Sequence, residues 1–255
     1  MTSELLTVVQ SAALAAGKVL REKYPQPRTI QSKGKQDIVT DADFAAQTAI
    51  VDVIKQHDPG AAILSEEGIQ PDPAAQLIWV VDPLDGTTNY ARRLPTFSTS
   101  IAVVKDGQPI MGAIYDPLRD QLFAAELDRG ATLNGESIHT STTSELDQAI
   151  VGLDWGRGVA VRSIGLSWLQ QVGPQVKSIR AFGSSALAFC YVAAGWIDIY
   201  FHAALKPWDG AAGQIIAQEA GVKLFNHQRT IWNYTDETCL ASNAQLIDRM
   251  LTSLK

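Results

Sequence analysis

Only two cysteines, Cys190 and Cys239, occur among the 255 residues. They form no framework and no metal-spaced pair, which excludes a disulfide scaffold and fits reduced core thiols in a reducing compartment, the cytoplasm. No apolar run reaches membrane-spanning length, so no membrane partner is expected. The start, Met1-Thr2-Ser3-Glu4, lacks the basic segment of a signal peptide. Positive charge is in deficit too: 21 Lys and Arg stand against 27 Asp and Glu, a formal net charge of -6. That balance argues against a nucleic-acid partner held by general electrostatics. It also means that an anionic substrate at an acidic site needs a cation between the two. Internal repeats, low-complexity tracts and long linkers are absent. What remains is a chain with 46% hydrophobic and 19% charged residues, enough for a real core and too little charge for disorder. The length allows one large domain or two intimate halves.

The chain is organised around Leu77-Ile78-Trp79-Val80-Val81-Asp82-Pro83-Leu84-Asp85-Gly86-Thr87-Thr88-Asn89-Tyr90. Its apolar start predicts a short buried strand. Pro83 cannot donate to a sheet ladder, so the strand is expected to stop there. Asp82 and Asp85, on a sharp turn, can converge on one point, and oxygen ligands of that kind suit a hard cation such as Mg2+. The N–H groups of Gly86 and Thr87, opening a short helix, suit a phosphate. D-P-x-D-G is also ordinary turn chemistry, and most Asp-Gly turns bind nothing. A turn alone, however, needs neither the Thr-Thr-Asn that follows nor a second acidic cluster elsewhere.

Before that stretch, helical spacing predicts a helix over 5–24, closed by Pro25 and Pro27. A polar loop is expected over 32–37, with Lys33 either on the surface or leaning towards a phosphate. Thr40 and Asp43 form a T-x-x-D cap for a second helix. A short strand over 61–64 leads to Ser65-Glu66-Glu67-Gly68, where the glutamates are solvated or act as ligands. After the central stretch, apolar segments at 97–105, 110–115, 121–126 and 131–133, parted by Asp106-Gly107, Asp116-Pro117 and Asp128-Arg129-Gly130 and followed by Asn134-Gly135, predict an antiparallel meander. The rhythm then changes to alternating strands and helices: strands at 149–153, 178–182, 197–202, 222–225 and 238–241, helices at 160–172, 184–196, 209–221 and 243–254. The expected organisation is a single domain over 1–255, with halves of about 1–143 and 144–255 sharing one site.

A second acidic signal lies in Lys206-Pro207-Trp208-Asp209-Gly210-Ala211-Ala212-Gly213. Asp209 suits a helix N-cap, which is reason enough for an Asp there. Glu66, Asp82, Asp85 and Asp209 all sit at element ends, and four carboxylates cannot crowd together unpaired. Either they lie apart or they bind divalent metal, and the residues alone leave both open.

W-V-V-D-P-L-D-G-T-T-N-Y and P-W-D-G-A-A-G, in this order, resemble the two signatures of the inositol monophosphatase family of metal-dependent phosphatases. Ser65-Glu66-Glu67 and the T-x-x-D at Thr40 resemble its other elements. The resemblance implies an α/β fold layered α/β/α/β/α, as in fructose-1,6-bisphosphatase, and a homodimer. It implies two or three Mg2+ ions per site. Glu66, Asp82 and the Leu84 carbonyl would hold the first, Asp82, Asp85 and Asp209 the second, and Glu66 a third. Glu67 would order these ligands. Gly86 and Thr87 would bind the phosphate, and Thr87 with Asp43 would orient the attacking water. Lys33 matches a loop lysine of the family through a short gap.

The implied activity is Mg2+-dependent hydrolysis of a small polyol or sugar phosphate, with myo-inositol 1-phosphate as the default. Fructose 1,6-bisphosphate, histidinol phosphate and 3'-phosphoadenosine 5'-phosphate are alternatives within that chemistry. A catalytically idle regulatory binding protein is the alternative of another class. One position departs from the pattern. Where the family commonly has a glutamate contacting substrate hydroxyls, seven residues before Asp209, this chain has His202. It is either a plain strand-end histidine or the mark of a different leaving group. Ser184 and Ser185 fall near the family's substrate-contact turn and also suit a helix N-cap.

Overall fold

The structure, a computed structural model, describes residues 3–34 and 37–253. Lys35 and Gln36 of the expected loop and Leu254 of the expected last helix lie outside the described residues. Helices α1 (Glu4–Lys23) and α2 (Asp41–His57) open the chain, with a hairpin of β1 (Ile30–Gly34) and β2 (Asp37–Thr40) between them. This hairpin replaces the polar loop expected over 32–37. Every residue of β1 is exposed, so it lacks the apolar alternation that announces a strand.

The largest sheet has seven strands in the order β3 (Ala62–Ser65), β4 (Leu77–Asp85), β5 (Ser98–Lys105), β6 (Gln108–Asp116), β7 (Gln121–Glu126), β8 (Ala131–Leu133) and β9 (Glu136–Ile138). β3 and β4 are parallel, and the rest form the expected antiparallel meander. The short helix α3 (Thr87–Arg92) follows β4. The second sheet has the order β11 (Ser178–Arg180), β10 (Ile150–Asp154), β12 (Ile199–His202), β14 (Cys239–Ser242) and β13 (Lys223–Phe225). β10 runs parallel to β11 and β12, while β14 is antiparallel to β12 and β13. Helices α4 (Val159–Val172), α5 (Ser185–Ala193), α6 (Pro207–Glu219) and α7 (Ile247–Ser253) complete the chain.

Alternation along the strands decides the layering, because successive side chains leave a strand on opposite faces. Trp79 and Val81 of β4, with Ile101 and Val103 of β5, pack under α1 and α2. Val80, Ala102 and Val104 point the other way, onto α5 and α6, and the same core takes Tyr200 and Ala241 from the second sheet. Ile199 and Phe201 face a third core with Trp168 of α4 and Met250 of α7. The order is therefore helices α1–α2, seven-stranded sheet, helices α5–α6, five-stranded sheet, helices α4–α7: the α/β/α/β/α sandwich. α5 is buried along its whole length, as a helix between two sheets must be. Trp79, 1% exposed, anchors the first interface, and Trp79→Ala would remove about 3–5 kcal/mol of stability.

β4 does not stop at Pro83. Asp82 pairs with Ser100 and Asp85 with Ser98, so three steps on β4 face two on β5. That is a β-bulge. In a regular strand, residues three apart point to opposite faces; the extra residue returns Asp85 to the face that Asp82 uses. The proline sits in the irregular segment, where it costs no ladder hydrogen bond. Among the described residues no helix is long and apolar enough to cross a membrane.

Candidate functional site

Asp82 and Asp85 leave the bulged end of β4 towards α6, whose first turn supplies Asp209. One carboxylate oxygen from each of the three lies within 4.8 Å of the other two. Asp209 is not the N-cap expected from sequence. Lys206 caps α6, and Asp209 sits three residues in, accepting the Lys206 N–H through Oδ2 at 2.7 Å. Pro207 begins the helix instead, where a missing N–H is harmless.

The charges in this triangle oppose one another. Burial drives the Asp82 carboxyl well above the ordinary range, and the charges of Glu66, Asp85 and Asp209 add to it. Burial also pushes Asp209 up to about 8 and raises Asp85. Asp85 is restrained by donors: Ser184 Oγ, Ser185 N and Oγ at 3.1 Å each, Ala186 N at 3.2 Å and Ser98 Oγ at 3.2 Å. Asp82 Oδ1 accepts the Leu84 N–H at 3.0 Å. Glu66 stands beside this triangle, raised to about 7 by burial. Lys33 reaches it from the hairpin, with Nζ 3.5 Å from Glu66 Oε1 and 2.5 Å from Glu67 Oε1. Clustered oxygen donors of like charge are the donor set of a hard cation. Two oxygens bound to one Mg2+ stand at most ~4.2 Å apart, so the triangle fits such an ion with small side-chain shifts.

Beside the triangle, Gly86 caps α3 with φ of 88°. A Cβ there would stand 3.1 Å from the carbonyl oxygens of both Gly183 and Thr96, so only glycine suits the turn. Thr87 begins the helix. Its Oγ1 lies 3.1 Å from Asp43 Oδ1 and 3.0 Å from the Leu84 carbonyl oxygen. Asp43 also performs the capping expected of it, Oδ2 taking the Thr40 N–H at 2.8 Å. Burial raises Asp43 to about 6, against the pull of the Thr40 hydrogen bonds.

The expected substrate contacts are placed as follows. Ser184 is the N-cap of α5 and Ser185 its first residue, and both hydroxyls are engaged by Asp85. His202, 8% exposed, ends β12 opposite Asp154 of β10. Its Nδ1 accepts the Ala204 N–H at 3.0 Å, which leaves the ring proton on Nε2. Burial lowers its pKa to about 4, so the ring is neutral.

Three residues outside the expected set support the site. Ser98 donates to Asp85 across the bulge. Asn89 Nδ2 lies 2.7 Å from the carbonyl oxygens of both Thr96 and Phe182. Asp154 Oδ1 accepts from Phe182 N at 3.1 Å and Gly183 N at 2.9 Å. Asp154 could have been noticed, since it ends a strand as Asp82 and Asp85 do. Asn89 lies within the Thr-Thr-Asn that a turn alone does not need, whereas Ser98 carries no such signal.

Residues 1–254 match the family model described as Inositol monophosphatase family. The chain is 38% identical over 223 residues to the Nus factor SuhB of Escherichia coli (strain K12), covering 85% of this chain and 83% of that one. It is 34% identical over 259 residues to inositol monophosphatase 2 of Solanum lycopersicum, 98% of each chain. The crystal structure of the native extragenic suppressor protein suhB from Bartonella henselae shares the fold, with a TM-score of 0.95, 31% identity and 99% of both chains covered.

Proposed function

The chain belongs to the inositol monophosphatase family, and from that premise we propose that it is a Mg2+-dependent phosphomonoesterase acting on a small polyol or sugar phosphate. The observation that carries the reading is the triangle of Asp82, Asp85 and Asp209. These residues, with Glu66 and the Leu84 carbonyl, would hold two or three Mg2+ ions. Ions bound there neutralise charge on the phosphoryl group and leaving oxygen and make water a better nucleophile at neutral pH. The chain itself positions and transfers protons. The first-turn N–H groups of α3 at Gly86 and Thr87 face no carbonyl one turn back and suit phosphate oxygens. Thr87 Oγ1, hydrogen-bonded to Asp43, orients the attacking water, and Asp43 receives its proton. A carboxyl near 6 is mostly ionised at neutral pH and still basic enough for that role.

Selectivity follows from the polyol side. His202 offers one N–H donor where a glutamate would offer acceptors. This favours a leaving group that presents an acceptor or a second anionic group over one recognised only through its hydroxyls. myo-Inositol 1-phosphate is the reference substrate, with the fructose, histidinol and adenosine phosphates as competitors, and a homodimer is the proposed assembly. The Nus factor name of the Escherichia coli relative supports a second reading, a catalytically idle binding protein. Phosphate release from this panel, with and without Mg2+, separates the two. Mg2+-dependent turnover that chelator abolishes is expected; no release from any substrate, or full release in excess chelator, refutes the proposed mechanism.

A further inference from the structure

We propose that Asp154 is a positioning residue for Asp85, acting through the turn at Phe182 and Gly183. The inference rests on the reading of Asp85 as a cation ligand. Asp154 ends β10, in the five-stranded sheet, and Asp85 ends β4, in the seven-stranded one. Between them lies one short turn. A single atom of Asp154, Oδ1, takes both its N–H groups: Phe182 N at 3.1 Å and Gly183 N at 2.9 Å. Asn89 takes the other side of the Phe182–Gly183 peptide, its Nδ2 donating to the Phe182 carbonyl oxygen at 2.7 Å while the Gly183 N–H of the same peptide donates to Asp154. The turn is thus fixed by donor and acceptor together. Gly183 has φ of 68°, and a Cβ there would stand 2.9 Å from Asn89 Nδ2, so the clamp closes directly on the backbone.

The next three residues after this turn all point donors at Asp85. Ser184 gives its hydroxyl, Ser185 its N–H and hydroxyl, and Ala186 its N–H. These contacts engage both carboxylate oxygens, so they set the direction of the lone pairs that remain for a cation. A shift of the turn would turn the Asp85 carboxylate without removing any atom from the site. Groups of this kind, which orient a ligand without touching the metal, usually matter to metal affinity about as much as a weak ligand does.

The geometry predicts how substitutions rank. Asp154→Asn keeps an oxygen at the Oδ1 position and can hold both N–H groups, with the charge removed. Asp154→Ala loses both bonds. Asp154→Glu keeps the charge but moves the acceptor by one methylene. The experiment is calorimetric titration of the full chain with MgCl2, alongside phosphate release against Mg2+ concentration and a thermal melt. Asp85→Asn and wild type serve as controls. Asp154→Ala should bind Mg2+ about tenfold or more weakly, with KM for the phosphomonoester at saturating Mg2+ within about twofold of wild type. Asp154→Glu should fall in the same direction, and Asp154→Asn should stay within about threefold of wild type. A purely structural role would lower the melting temperature and leave the Mg2+ affinity of the folded protein alone. If Asp154→Ala does not fold, Asp154→Glu decides by the same criterion. Wild-type affinity in the alanine variant, or in the glutamate variant where it replaces it, overturns the proposal. So does equal weakening in the alanine and asparagine variants, which would point to charge and not to the turn. If wild type itself binds no Mg2+, the metal reading falls; if only Asp85→Asn loses binding, this inference alone falls.

Discussion

Acidification should unfold this protein partly through one buried histidine, and the contribution of His202 can be isolated. Its ring is 8% exposed and its Nδ1 is used as an acceptor, so protonation needs a buried charge and breaks the bond from Ala204 N. The pKa falls from 6.5 in the unfolded chain to about 4 in the folded one. A depressed folded pKa means that the unfolded state binds the proton more tightly. The stability is therefore present above the unfolded pKa and is lost as pH falls from about 6.5 towards about 4. Linkage with these two values gives a loss of about 2 kcal/mol between about pH 7 and about pH 5, and about 3 kcal/mol by about pH 4. Carboxyls raised by burial, such as Asp154 at about 6, act in the opposite direction, because protonation relieves them. The net pH profile of the wild type is thus a poor test, and a difference is needed. His202→Asn places an amide oxygen where Nδ1 was and does not titrate. It leaves a void, but that cost is the same at both pH values. Urea unfolding of both proteins near pH 7 and near pH 5 gives the double difference. The expected result is that wild type loses about 2 kcal/mol more than the variant on acidification, or about 4–8 °C in melting temperature. Equal losses in the two proteins would show that the ring is charged, or solvated, in the folded state.

Three other outcomes follow from the site. Asp85→Asn keeps the shape and removes a ligand charge, so turnover should drop roughly a hundredfold, about 3 kcal/mol of transition-state stabilisation, and near-normal turnover at saturating Mg2+ would contradict its role. Mg2+ at about 100 times its Kd should add about 2.7 kcal/mol of stability, seen as a rise in melting temperature that Asp209→Asn reduces; an equal rise in both proteins would place the ion elsewhere. Gly86→Ala forces a left-handed residue against two carbonyl oxygens 3.1 Å away, so it should cost at least about 1–2 kcal/mol in urea unfolding and lower phosphate release, and an unchanged unfolding midpoint would remove the steric argument.

Most elements of the fold were legible because their signals are local, while the layering was implied by the family resemblance. The apolar segment at 97–105, closed by the Asp106-Gly107 turn, and the helical spacing at 5–24 each survive in a single element. The central acidic stretch was legible for the same reason. What failed was anything set by a partner strand. Pro83 looked like a stop because a proline removes a ladder donor, yet the bulge against Ser98 and Ser100 lets β4 continue through it. In the hairpin before α2 the first strand, β1, is exposed throughout and held by backbone pairing to β2, so its side chains carry no pattern. Asp209 looked like a cap, and only the Lys206 N–H shows that the helix begins earlier. Ser98, Asn89 and Asp154 matter through groups far away in the chain, such as the Phe182 carbonyl bonded by Asn89, 93 residues on. No single segment contains that information.

The division of the site between β4 and α6 also sets a clock. Asp85 is translated 124 residues before Asp209, from 209 less 85, and at synthesis rates of ~5–20 residues per second the gap is roughly 6–25 s. During that interval the ribosome has released the strands that carry Val80, Ala102, Val104 and Phe123, but not α6, which covers that face in the finished protein. A meander with one bare apolar face is exposed to sticking to its neighbours for seconds. Asp82 and Asp85 lie at the end of that same face, with their repulsion unrelieved. The charge proposed to hold cations in the finished protein would meanwhile help keep one nascent chain away from another.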